Sequence, residues 1–206
     1  MGLASGCFAW TLAMSGPDGP DAADPLATIG DEALMTRYRK GDANAFETLY
    51  RRHGPALHRF IARLMRSGRD ADEVFQEVWF AIIRGRERYE PTARFVTFLF
   101  AIAHRRVADR ARKAMGRTQQ AAEELEDFPD EDLDPHAVLQ NAQLGEALIL
   151  AIDALPLTQR EAFLLQAEAG LSLEEIARAT DVPRETVKSR LRYASRHLRH
   201  ALKDWK

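Results

Sequence analysis

The most chemically specific run of side chains lies near the C-terminal end. Arg184, Glu185, Thr186, Lys188, Ser189 and Arg192 fall on the polar side of one helical stretch. Every one of them hydrogen-bonds, and on a helix lying in a major groove such side chains reach base edges and phosphates. A second concentrated run is Asp70-Ala71-Asp72-Glu73-Val74-Phe75-Gln76-Glu77-Val78-Trp79, in which carboxylates and an amide alternate with apolar residues. Asp70 with Glu73 three residues later has the spacing of a helix N-cap arrangement, a role worth about 1 kcal/mol per cap. Catalytic chemistry has no comparable foothold. The histidines are scattered, no nucleophile elbow or phosphate-cradling loop occurs, and no paired carboxylates sit in an apolar setting. His197 and His200, three residues apart with no further ligand near in sequence, form the pattern of a surface pair. Cys7 is the one cysteine, so the chain has neither an intramolecular disulfide nor a Cys-cluster zinc site. No enzyme activity, metal or cofactor is expected.

The elements that must carry these residues read as helices throughout. In GLSLEEIARATDVPRETVKSRLRYASRHLRHAL, a short helix from Ser172 to Thr180 turns Ile176 and Ala177 inward, with Ser172 and Glu175 as a capping box. A tight turn follows at Asp181-Val182, where Asp tolerates the left-handed conformation better than most residues. Pro183 opens the next helix, where its missing N–H costs nothing, and Val187 and Leu191 anchor that helix against the first. This is helix-turn-helix grammar. Upstream, Leu144, Leu148, Ala151 and Leu155 keep helical spacing up to Pro156, and Thr158 with Glu161 predicts a further capping box before a helix that Gly170 ends.

The N-terminal half follows the same period. Ala33, Leu34 and Tyr38 are followed by Ala45, Phe46, Leu49 and Tyr50 after Gly41-Asp42, and Leu57, Phe60, Ile61, Leu64 and Met65 continue the stripe to Ser67-Gly68. Val74, Phe75, Val78, Trp79 and Ile82 form the buried side of the acidic helix. Residues 85–91 read as a loop. Phe95 to about Lys113 is a helix that begins apolar and ends basic. No window alternates with period two long enough for a sheet, so the fold class is all-α.

Charge divides the 206 residues into blocks. Residues 31–113 carry 18 bases and 11 acids, whereas residues 114–140 carry one base and eight acids, so the overall net charge of −2 is a cancellation. The segment EELEDFPDEDLDP buries too little apolar surface to offset its ordering entropy and is expected to be a flexible linker. Two small helical domains, residues 31–113 and 141–206, are therefore expected on either side of an acidic tether at 114–140. Residues 1–30 read as a flexible extension, with Met14 as an alternative start. GLASGCFAWTLAM is similar to a signal-peptide core but lacks its basic start, and the uncharged run is too short to span a membrane. No membrane insertion is expected, and the location expected is cytoplasmic.

Together these motifs resemble the bacterial sigma factors of the extracytoplasmic-function group, the smallest members of the sigma-70 class. The resemblance covers residues 30–206. It rests on the Asp70–Trp79 run, on Phe95-Val96-Thr97-Phe98-Leu99-Phe100-Ala101-Ile102-Ala103, on LPLTQREAFLLQAEAGLSLEEIA and on the helix-turn-helix. It implies a helical region 2, a helix-turn-helix region 4 and a non-enzymatic role in transcription initiation. The partners implied are core RNA polymerase, promoter DNA and an anti-sigma protein. Asp70, Asp72, Glu73, Gln76 and Glu77 would dock on core polymerase. Tyr89, Arg94, His104, Arg105, Arg106 and Arg110 would contact the −10 element and its displaced strand, with Tyr89 and Arg94 in a loop free to touch a base. Phe95, Phe98 and Phe100 are expected in the core. Arg184, Thr186, Lys188, Ser189 and Arg192 would read the −35 element, and Arg190 and Arg196 would hold phosphates. Arg105 stands where the family often has Asn, and because arginine offers only donors this points to a different −10 preference. Two other readings stay open on sequence: a DNA-binding regulator with a ligand-sensing or dimerising N-terminal domain, and a sigma mimic without promoter activity.

Overall fold

The structure is a computed structural model that describes residues 26–65, 67–115 and 142–203. The acidic segment expected as a flexible linker lies outside the described residues, apart from the end of the preceding helix. The described residues form eight α-helices and no strand. Helices α1 (Asp31–Arg39), α2 (Ala43–Leu64), α3 (Gly68–Gly85) and α4 (Phe95–Met115) build an N-terminal unit, with a 3-10 turn at Arg86–Arg88. Helices α5 (Ala142–Asp153), α6 (Leu157–Ala167), α7 (Leu173–Thr180) and α8 (Arg184–Ala201) build a C-terminal unit.

Asp42 opens α2 by accepting from the amides of Asn44 and Ala45 at 3.1 and 3.3 Å. That helix then runs 22 residues, through Pro55, so the apolar stripes at Ala45–Tyr50 and Leu57–Leu64 lie on one continuous rod. The N-terminal unit packs around aromatic side chains. Phe60, Phe95 and Phe100 are fully buried, with Phe60 edge-on to Phe100 at 5.2 Å between centroids. Phe98 is half-buried and packed against this core, as its spacing predicts. The first amide of α4, on Phe95, donates to Glu32 Oε1 on α1 at 2.7 Å, a cap supplied from 63 residues away.

Three local expectations need correction. Asp70 is not the N-cap of α3. Ser67 holds that position and accepts from the Asp70 amide at 3.4 Å, because the helix starts a turn earlier than its apolar stripe suggests. The capping box expected at Thr158–Glu161 is absent: Pro156 precedes α6 with no side-chain cap, and Glu161 binds elsewhere. Of the extension expected to be flexible, residues 26–30 form a turn with Leu26 buried. Arg52 pins it, donating to the carbonyls of Leu26, Ala27 and Ile29 at 2.7–2.9 Å and to Asp31 at 2.7 Å. Burial pulls the Asp31 carboxyl up, but hydrogen bonds from His53 and Arg52 leave it below the ordinary aspartate range.

The C-terminal unit is smaller, and its core is aliphatic: Leu155, Leu164, Leu165, Ile176, Val187, Leu191 and Leu198. Here local signals do match. Ser172 and Glu175 make both arms of a capping box, and Asp181 sits at φ 56°, ψ 43° in the left-handed region. Gly170, at φ +59°, turns the chain after α6.

Candidate nucleic-acid interface

Three faces carry the residues singled out in the sequence. On α8 the helix-turn-helix frame fixes Val187 and Leu191 inward, which sends Arg184, Lys188 and Arg192 to solvent in one row at four-residue spacing. Arg184 Nε donates to Glu174 at 2.5 Å, and this pairing draws the Glu174 carboxyl down. Ser189 Oγ donates to backbone carbonyls of its own helix, Thr186 at 2.9 Å and Glu185 at 3.1 Å. Thr186 and Arg190 are half-buried flanks of the row. Arg192 and Arg196 both stack on Tyr193, with guanidinium carbons 5.2 and 5.3 Å from its ring centre.

On α3, the buried side carries Val74, Val78 and Trp79, and Asp72, Gln76 and Glu77 point to solvent. Asp70 and Glu73 are half-buried and engaged. Arg110 of α4 reaches Asp70 Oδ1 at 2.6 Å and also bonds Glu73. The Arg110 hydrogen bond holds the Glu73 carboxyl below its ordinary value. Arg106 lies 3.8 Å from Glu77. Thus two arginines expected on a DNA face sit against the acids expected on a protein-docking face, because α3 and α4 pack side by side. Sequence separation hides this.

The third face is the start of α4 and the loop before it. Tyr89 is not a free loop residue: it is 4% exposed, and its ring packs on Phe98 at 5.4 Å. Burial, with the charges of Glu32 and Asp31, pushes its phenol up to about 12. Its Oη has no hydrogen-bond partner among the described residues. Arg105 and Arg106 are exposed. Arg94 and His104, by contrast, face the C-terminal unit. Arg94 Nη1 approaches Glu175 Oε2 at 3.3 Å and the Gly170 carbonyl at 3.4 Å. His104 Nδ1 lies 2.6 Å from Glu161 Oε1. Between them, the Thr97 hydroxyl donates to Glu175 Oε1 at 3.0 Å.

Sequence reading missed this inter-unit contact entirely. Besides Thr97, Glu161 and Glu175 it includes Arg59 paired with Glu168 at 2.8 Å, and Arg160 donating to the Arg63 carbonyl at 3.0 Å. The partners stand 57 to 109 residues apart in the chain, and no local pattern marks them. Burial pulls the Glu175 carboxyl up, but the Ser172 amide and hydroxyl, Thr97 and Arg94 together leave it lowered. Among the described residues no cluster of three or more His, Cys, Asp or Glu could hold a metal ion. Nor is any described helix long and apolar enough to cross a membrane.

Residues 49–117 match the family Sigma-70 region 2, and residues 145–198 match Sigma-70, region 4. The RNA polymerase sigma factor CarQ of Myxococcus xanthus is 35% identical over 147 residues, covering 69% of this chain and 80% of that protein. The ECF RNA polymerase sigma factor SigE of Mycolicibacterium smegmatis is 30% identical over 187 residues, covering 90% of this chain and 69% of that one. In fold, the chain is similar to the sigma factor RpoE solved in complex with the anti-sigma factor NepR from Bartonella quintana. That likeness has a TM-score of 0.59 at 22% identity, over 77% of this chain and 96% of RpoE.

Proposed function

The chain belongs to the extracytoplasmic-function group of sigma-70 RNA polymerase sigma factors, and from that premise we propose how its faces divide the work of transcription initiation. A sigma factor is not an enzyme; it brings core RNA polymerase to −10 and −35 promoter elements. The α8 row of Arg184, Lys188 and Arg192, with Thr186 and Ser189 beside it, enters the major groove at the −35 element. Arg190 and Arg196 take the flanking phosphates. The observation that carries this reading is the rigid frame under the row: a buried Val187–Leu191 seam, with the left-handed turn at Asp181 setting the angle between α7 and α8.

Arg94, His104, Arg105 and Arg106 are assigned to the −10 element and its displaced strand, whose phosphates require cations. The exposed Asp72, Gln76 and Glu77 form the core-polymerase contact, and their charge suits a basic partner surface. Asp70, Glu73 and Arg110 support that contact by fixing α3 against α4. Tyr89 acts by shaping the preceding loop rather than by touching a base. The chain works in the cytoplasm, where its polymerase resides, and an anti-sigma protein is its regulator, a reading supported by the likeness to a sigma factor solved in complex with the anti-sigma factor NepR.

Run-off transcription with purified core polymerase over a library of promoter fragments tests the proposal. Promoter-specific transcripts without another sigma subunit are the expected result, and the fragments recovered give the −10 preference that accompanies Arg105. A chain that fails to bind core polymerase while still binding DNA would instead be a separate DNA-binding regulator.

A further inference from the structure

Helix α1 carries none of the residues assigned to DNA or to polymerase, yet its side chains grip both ends of the loop that leads into α4. Resting on the assignment of Arg94 to the −10 element, we propose that Glu32 and Arg39 are positioning residues for −10 recognition: they clamp the 89–95 loop at its two ends and so set where Arg94 meets the displaced strand.

The loop has little of its own to hold its shape. Pro91 has no amide hydrogen to donate, and the backbone hydrogen bond made within residues 90–93 runs from the Thr92 amide to the Glu90 carbonyl, at 2.8 Å. Glu90, Pro91, Thr92 and Arg94 are exposed. A short exposed segment of this kind takes its course from the rigid elements that fix its ends. Here α1 fixes both. At the entry, Arg39 Nη1 donates to the Tyr89 carbonyl at 3.1 Å, across 50 residues of sequence. Just before it, the Arg86 guanidinium carbon lies 5.6 Å from the ring centre of Tyr38. At the exit, Glu32 Oε1 accepts from the Phe95 amide at 2.7 Å.

The exit clamp has no local substitute in Arg94. That side chain offers donors only, so it cannot cap the helix it precedes. The Glu32 carboxylate also meets the positive end of the α4 dipole, where negative charge is favoured. Arg94 is joined directly to the clamped Phe95, so drift of that amide passes to it undamped.

These grips are not what keeps α1 in place. Leu34 and Met35 are fully buried, and Tyr38 is nearly so, whereas Arg39 is exposed. Packing of an apolar face, rather than hydrogen bonds at its rim, holds a helix to its core. Loss of the grips therefore frees the loop and leaves the unit folded. Recognition is the more demanding of the two, because a binding constellation must be held within about 0.5 Å of its productive geometry.

The test uses the full chain with core polymerase on promoters whose −35 element is fixed and whose −10 element is randomised. Transcripts are sequenced, and circular dichroism reports folding. E32A/R39A should flatten the −10 preference, lowering discrimination about fivefold at the −10 position most affected by R94A, while affinity for the −35 duplex stays at the parent level. E32Q keeps an oxygen acceptor and retains the preference that E32A loses. R39A alone alters an exposed side chain and shifts the profile in the same direction by less, which keeps the test decisive should E32A unfold. Trypsin cleavage after Arg88, located by mass spectrometry, should quicken in E32A/R39A as the loop is released. An unchanged −10 profile in folded variants overturns the clamp, whether or not trypsin cuts faster. So does a loss of transcription that is uniform across −10 sequences, which is what a merely structural role would give.

R94A separates the clamp from the reading it rests on. If R94A changes the −10 profile while the folded clamp variants match the parent, the clamp alone fails. If R94A leaves the profile unchanged, the assignment of Arg94 fails and takes the clamp with it.

Discussion

Helix α8 turns its Arg184–Lys188–Arg192 row to solvent, whereas the Arg94–His104 stretch around α4 is held against carboxylates of the other unit. Both are polar surfaces on helices, and charge patterning alone ranks them together. The difference lies in what underlies each. The C-terminal unit is specified by short-range devices: a capping box at Ser172–Glu175, a left-handed turn at Asp181 and a two-residue seam. The N-terminal unit is specified by an aromatic core and by caps arriving from distant elements, such as Glu32 on the Phe95 amide. A face built on local devices keeps its presentation whatever else the chain does. A face built on a large core can be covered or uncovered by a neighbour.

That contrast makes predictions of decreasing size. Phe100 is fully buried against Phe60, and Phe100→Ala should lower the stability of the N-terminal unit by about 3–5 kcal/mol. Chemical denaturation followed through Trp79, in a Trp10→Phe, Trp205→Phe background, measures it. A loss under about 1 kcal/mol would mean that the aromatic core does not organise this unit. Lys188→Ala and Arg192→Ala should each weaken binding to the cognate −35 duplex by about 1–3 kcal/mol if they read base edges. A residue that contacts only phosphate would instead lose affinity evenly across sequences and lower the salt slope by about one. Unchanged binding after both replacements removes α8 as the reader.

Asp181→Val forces a β-branched residue into the left-handed turn and should cost the C-terminal unit about 1–2 kcal/mol, whereas Asp181→Gly should be tolerated. Equal melting temperatures for the two variants would show that the turn angle is not what holds α7 against α8. The smallest effect concerns pH. Glu175 has its carboxyl lowered in the folded chain, so its contribution is fully present above the ordinary glutamate value of 4.5 and is lost as pH falls through the lower folded value. Glu175→Gln should therefore flatten the acid limb of the stability curve, with little change in its shape near neutrality. A parallel acid limb in the variant would place the proton uptake elsewhere, Asp31 being the next candidate.

Much of the fold was legible before any coordinates. The apolar period revealed α-helices throughout, the core aromatics Phe95 and Phe100 fell where their spacing put them, and the helix-turn-helix was marked by residue types that act within four positions of themselves. The errors had one character. Asp70 and Thr158 look like caps because they sit three residues before a Glu, yet the true cap of α3 is Ser67, and the Glu161 partner is His104. Tyr89 reads as a loop residue from its neighbours, and only the fold shows Phe95 and Phe98 closing over it. Arg106 and Arg110 look like nucleic-acid contacts from the basic run, and only the packing of α3 on α4 reveals the carboxylates beside them.

What the chain's order of residues settles is whatever depends on neighbours a few positions away: helical period, caps made within one turn, the left-handed Asp181, and the row of donors on α8. Tertiary structure alone decides which charged groups meet across long separations. Coulombic and hydrogen-bonded pairing depends on distance in space, and nothing in local sequence encodes that distance for groups such as Thr97 and Glu175, 78 residues apart. The exposed reader on α8 belongs to the first class. The covered face on α4 belongs to the second.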